Sequence, residues 1–146
     1  AEHSINVARL LPKMLQKEGL MHDAAEAYTT DLPTPIKDLV PEFKGIENVF
    51  LKKLGIKLQL DLCNSHPLVK RADYLMLRKE AMMNTDIPQE VIDTFTSSFC
   101  SPKTADAILE EAGILIYRLK PADAEEMFKE EFKRIFPDYI PSKDDF

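Results

Sequence analysis

Long apolar runs are missing from this 146-residue chain, and none approaches the roughly 20 residues that a membrane-spanning helix needs. Cysteine is scarce too. Cys63 and Cys100 stand 37 positions apart with no CxxC spacing, so a disulfide framework and a thiolate zinc site are unsupported, and both are read as buried reduced thiols. The four glycines, at positions 19, 45, 55 and 113, form neither GxGxxG nor GxxxxGK, which removes a Rossmann site and a phosphate-cradling loop. Positive charge is in deficit. Nineteen Lys and Arg against 25 Asp and Glu give a net charge of −6, which disfavours a protein that coats nucleic acid or an anionic membrane. Any phosphate has to be met locally, by a few placed cations or a metal. The chain opens inside an amphipathic pattern rather than with a signal peptide, so a cytoplasmic location is expected.

What is present is ordinary globular usage, 45% hydrophobic and 30% charged, enough for a single domain over residues 1–146. Helical periodicity recurs and strand alternation hardly appears, which predicts an all-α fold. Ile5, Val7, Ala8, Leu10 and Leu11 mark a helix from Ser4, as N-cap, to about Met14, bent or ended by Pro12. A second helix is expected from Gly19 to Thr29. The segment Thr30-Asp31-Leu32-Pro33-Thr34-Pro35 then predicts an extended proline turn, with Thr34-Pro35 opening a short helix through Leu39. Phe43, Ile46, Phe50 and Leu54 follow at helical spacing, with Gly55 as a left-handed C-cap. Further helices are expected at Pro67–Met83, Pro88–Phe95, Ala105–Leu119 and Pro121–Phe136. Ile114-Leu115-Ile116-Tyr117 could form a strand, but the spacing of Ile108, Ala112, Leu115 and Leu119 favours a helix.

The chemistry gathers around His22-Asp23-Ala24-Ala25-Glu26, with His3 upstream and Asp73 downstream. Two imidazoles and two carboxylates form an N2O2 set suited to a divalent transition metal, which can polarise phosphate and ionise water. Glu26 lies four residues after His22 and three after Asp23, so one helical face can carry all three. Asp73 falls in an apolar stripe with Val69 and Met76, where a carboxylate is costly unless paired or metal-bound. Lys70, one turn earlier, is placed either to pair with it or to reach a substrate phosphate.

With these residues laid out, the chain resembles the HD-domain metal-dependent phosphohydrolases, within them the 5′-deoxynucleotidase-like branch that includes phage dATP triphosphohydrolases. The resemblance covers Ala1 to about Ala81. It is carried by Ala1-Glu2-His3-Ser4, by His22-Asp23 followed by Glu26 and the proline turn, and by Lys70-Arg71-Ala72-Asp73. It implies an HD-domain helical bundle with the metal at the centre of the helices, held by His3, His22, Asp23 and Asp73. The metal would be zinc, cobalt, manganese or iron, with a second ion such as magnesium brought by a triphosphate.

By the same resemblance Glu26 would orient or deprotonate the attacking water and Asp31 would serve the leaving group or a second metal. Lys37 and Lys70 would neutralise phosphate oxygens. The implied substrate is a deoxynucleotide, releasing nucleoside with phosphate or triphosphate, and relatives are often homo-oligomers; neither nucleic acid nor membrane is an expected partner. Relatives carry an Arg-Trp motif before the first histidine and a further helix between the two histidines, so segments are expected to be missing before Ala1 and between His3 and His22.

The competing function class is a helical metal- or nucleotide-binding module that has lost turnover and acts through a partner. Glu26 and Asp31 favour an enzyme, since a pure binding module has no need of uncoordinated carboxylates there. His66, before Pro67, fits no motif and is read as structural or exposed. Arg78 and Glu80 are read as ion-pairing across helices. The charged 125–134 segment is read as the wet face of a helix that packs Phe128, Phe132 and Ile135 inward.

Overall fold

The computed structural model describes residues 1–29, 32, 36 and 39–140, and among them every regular element is a helix. Thr30, Asp31, Pro33, Thr34, Pro35 and Lys37 lie outside the described residues, and with them the expected proline turn and the short helix after it.

The organising element is α1 (Glu2–Arg9). Its residues Ser4 to Ala8 are all buried, and five in succession cover every side of a helix, so α1 is enclosed rather than laid on a surface. It packs against α2 (Gln16–Met21), α5 (Pro67–Met82) and α8 (Pro121–Ile135). One core cluster joins Ile5, Ala8 and Leu20 to Leu58, Ile135 and Phe136, and a second joins Val7, Leu11 and Leu15 to Val69, Ala72 and Met76. Each large aliphatic side chain so enclosed contributes on the order of 1.5–3 kcal/mol. Ser4 is not the cap: the helix begins two residues earlier, behind Ala1, and Ser4 is buried within it. It ends at Arg9, before the proline whose ring cannot continue it.

A 3-10 turn at Lys13–Leu15 then reverses the chain into α2. A Cβ on Gly19 would lie 3.2 Å from Ala8 Cα and 2.4 Å from Leu11 Cδ1, so α1 and α2 approach closely because position 19 carries no side chain. This close turn lets 19 residues bring the His3 and His22 rings to 5.6 Å without an intervening helix. The continuous Gly19–Thr29 helix is not found. α2 starts at Gln16 and stops at Met21, residues 22–25 form turns, and α3 covers only Glu26–Thr29.

Two glycines exchange the roles expected of them. α4 (Pro41–Leu58) runs past Gly55, and its left-handed C-cap is Gln59, with φ 57°. Gly55 is small because a Cβ there would sit 2.5 Å from the Leu60 carbonyl oxygen. The left-handed position expected at 55 occurs at Gly113, φ 61°, which ends α7 (Pro102–Ala112). Residues 114–119 are therefore neither helix nor strand. Side chains of α1 serve their backbone instead: the Glu2 carboxylate accepts from Tyr117 N and Leu119 N, and Asn6 Nδ2 donates to Leu115 O at 3.3 Å.

α6 (Gln89–Ser97) and α7 are tied to α5 by Arg78, whose side chain is only 1% exposed. Its guanidinium donates to Asp106 Oδ1 and Oδ2 at 2.9 and 3.1 Å, to Asp93 Oδ1 at 2.8 Å and to Thr96 Oγ1 at 2.8 Å. Arg78→Ala is expected to destabilise the fold by about 3 kcal/mol, the low end for a broken buried pair, because both aspartates can turn to water. Urea unfolding measures this, and a loss within experimental error would contradict it.

Two other expectations need correction. Cys63 is exposed and Cys100 half-buried, although both are free thiols. On α8, Ile135 is buried and Phe128 and Phe132 are packed on the core as expected, but Glu131 is buried too, held by Arg134 at 2.8 Å and Arg9 at 3.5 Å. His66 caps α5, its Nδ1 accepting from Leu68 N at 3.1 Å. Among the described residues no helix is long and apolar enough to cross a membrane.

Candidate metal centre

The histidines converge because α1 and α2 pack side by side across α5. His3 stands in the first turn of α1, His22 at the C-terminal end of α2, Asp23 in the following turn, and Asp73 near the middle of α5. His3 Nε2 lies 3.1 Å from Asp73 Oδ1 and 4.0 Å from Asp23 Oδ2, while His22 Nε2 lies 2.9 Å from Asp23 Oδ2 and 3.8 Å from Asp73 Oδ1. One ligand atom each from His3, His22 and Asp73 falls within 4.8 Å of the others.

The donor set fits a metal in chemistry as well as spacing. His22 Nδ1 donates to the Gly19 carbonyl at 2.8 Å, which leaves Nε2 to face the carboxylates. That Nε2 is buried and makes no hydrogen bond: Asp23 Oδ2 is close enough but not correctly directed. A buried ring nitrogen 2.9 Å from one carboxylate and 3.8 Å from another is suited either to a proton shared with them or to a cation.

The four side chains set one another's charge. Burial opposes charge on His3, but its bonds to Asp73 and Glu80 outweigh that and raise its pKa to about 9. Burial likewise opposes charge on His22, and the Asp23 and Asp73 carboxylates outweigh it, raising the pKa to about 10. Asp73 is the counterpart: burial would raise it, but the two imidazoliums hold it down at about 2. Exchanging the two imidazolium protons for one divalent ion would leave the net charge of the site unchanged.

The raised histidines stabilise the metal-free fold fully below their unfolded value of 6.5, and that contribution disappears as pH rises through about 9 to 10. Asp73 contributes above 3.8 and loses its contribution as pH falls toward 2. The melting temperature of chelator-treated protein is therefore expected to fall from pH 6.5 to 10, and a level profile would contradict these assignments.

Beside this cluster a cleft of about 290 Å³ opens between the α2–α3 turn and α4. His22, Asp23 and Glu26 line one wall, and Lys44, Glu47 and Asn48 the other. Glu26 thus faces the same space as the His-Asp pair. Lys70 is exposed and forms no ion pair with a described residue; the histidines, not Lys70, are the counter-charges of Asp73. Asp31 and Lys37 lie outside the described residues.

Sequence reasoning missed the far wall of the cleft and the partner of Glu80. Glu80 and Arg78 do ion-pair across helices as expected, and the partner of Glu80 is His3, whose Nδ1 donates to it at 2.9 Å; the signal for that partner is the seven-residue spacing from Asp73, two turns along one face of α5. Lys44, Glu47 and Asn48 share the spacing of a polar helix face, on a helix whose sequence signal is the apolar spacing of Phe43, Ile46, Phe50 and Leu54.

Over 80 residues, 55% of its length, the chain is 40% identical to an uncharacterized protein, YfdR, of Escherichia coli strain K12. It spans 44% of that relative. No family model matches the chain. No solved structure matches it.

Proposed function

We propose that the protein is a metal-dependent phosphohydrolase of the HD-domain class acting on deoxynucleotides, its helices forming an HD-type bundle around the metal. The observation that carries this reading is the convergence of the buried His22 Nε2 with His3 Nε2 on the Asp23 and Asp73 carboxylates, at the edge of an open cleft. His3, His22, Asp23 and Asp73 would hold the ion. A divalent metal bound there would polarise a phosphate oxygen and lower the pKa of water.

The remaining work falls to this chain's side chains. Glu26, on the cleft wall next to His22, is placed to accept a proton from the attacking water. Lys44, across the cleft, offers positive charge to phosphate oxygens, in addition to the role proposed for Lys37 and Lys70. The overall charge of −6 makes such local neutralisation necessary if an anionic substrate is to approach.

The test is product analysis with manganese, cobalt or zinc against a panel of deoxynucleoside mono- and triphosphates. Free nucleoside with phosphate, or with triphosphate, is the expected result and distinguishes a 5′-nucleotidase from a triphosphohydrolase. No turnover from metal-loaded protein would overturn the enzymatic reading in favour of a binding module acting through a partner.

A further inference from the structure

His3 is gripped at both ring nitrogens, and the two grips differ in kind. Nε2 faces the cluster, 3.1 Å from Asp73 Oδ1, while Nδ1 points away from it to Glu80 Oε1 at 2.9 Å. Asp73 and Glu80 are two turns apart on α5, roughly 10 Å along the axis, so the ring lies across the intervening turn with one carboxylate at each end. A carboxylate oxygen can only accept, so both ring nitrogens donate while His3 is an imidazolium, and when an ion takes the place of the Nε2 proton the Nδ1 proton stays with Glu80 and Nε2 is the nitrogen freed to offer a lone pair. The same outcome is reached at His22 by a different acceptor, the backbone carbonyl of Gly19 at 2.8 Å. Glu80 is half-buried, and its hydrogen bond to His3 crosses from α5 to α1.

We propose that Glu80 is a positioning residue for the metal: it fixes His3 as the Nδ1–H tautomer and turns Nε2 toward the ion without binding the ion itself. This rests on the metal-centre reading above. A carboxylate behind a ligating imidazole raises the basicity of the ligand and locks its ring, and such outer partners are worth roughly 10–100-fold in metal affinity. Glutamine keeps a carbonyl acceptor at the same reach, whereas alanine removes it.

The experiment is a zinc titration, by competition with a chromophoric chelator, of the native chain, Glu80→Gln and Glu80→Ala. It is paired with nitrogen-15 NMR of the histidine rings in the zinc-loaded proteins. The native chain is expected to bind one zinc with His3 protonated at Nδ1. Glu80→Ala should lose roughly 10–100-fold in affinity and the single-tautomer signature, and Glu80→Gln should recover most of both. Glu80→Ala with native affinity and native His3 signals would overturn the proposal, as would Glu80→Gln binding as weakly as Glu80→Ala, which would make Glu80 a direct ligand. Failure of the native chain to bind zinc at all would instead sink the metal centre on which the proposal stands. Should Glu80→Ala not fold, the glutamine variant decides alone: native-like binding with the Nδ1–H tautomer retained supports the positioning role, and a large loss overturns it.

Discussion

Asp73→Ala is expected to abolish metal retention, lowering affinity by well beyond the roughly 10–100-fold that an outer partner of a ligand is worth. Its Oδ1 lies 3.1 Å from His3 Nε2 and 3.8 Å from His22 Nε2, so it bridges the two rings, as Asp23 Oδ2 does at 4.0 and 2.9 Å. The same substitution removes a charge that holds both histidines protonated. Their titration, at about 9 and 10 in the metal-free native chain, should shift down toward the ordinary imidazole value. Asp23→Ala should act in the same direction, since its Oδ2 is 2.9 Å from His22 Nε2. Zinc titration and proton NMR of the two rings measure both effects. Native affinity in Asp73→Ala would remove that residue from the ligand set.

Glu26→Gln should separate binding from turnover. Glu26 lines the cleft with His22 and Asp23 but is outside the His3, His22, Asp73 ligand group, so the variant is expected to keep its metal. Loss of a general base costs roughly 10²–10⁴-fold in rate, and glutamine cannot take the proton. Metal content and kcat, measured on the same preparation, decide the case. Retained activity would exclude Glu26 as the base.

Much of the helical architecture was legible because burial imposes its period on the sequence. α5 and α8 are enriched in apolar side chains at helical spacing, and proline stands at the first position of both, so their starts could be read to within a residue. Ends were harder to place because a glycine can serve two purposes. Gly113 supplies a left-handed φ and stops α7, whereas Gly55 supplies only space against the Leu60 carbonyl and lets α4 continue to Leu58. Nothing in the local sequence separates those uses. The break in the second helix at His22 was also hidden, since Leu20, Met21, Ala24 and Ala25 keep an apolar rhythm through the turn.

The candidate site was legible where residue types were unusual in their surroundings. An acid among Val69 and Met76, and a His-Asp pair on a mostly apolar helix, both pointed to the cluster that the fold brings together. The partner of Glu80 and the setting of Lys44 were hidden because a charged residue at the rim of a helix looks the same in sequence whether it faces water, a histidine or a cleft. Only the packing of α1 across α5, and of the α2–α3 turn against α4, tells these apart.

Anomalous diffraction from crystals of the protein loaded with manganese or zinc tests the central claim most directly. A single peak within coordinating distance of His3 Nε2, His22 Nε2 and Asp73 Oδ1 is the predicted result, with Asp23 completing the set. Loaded crystals with no peak among these atoms, or with the ion elsewhere on the chain, would contradict the account.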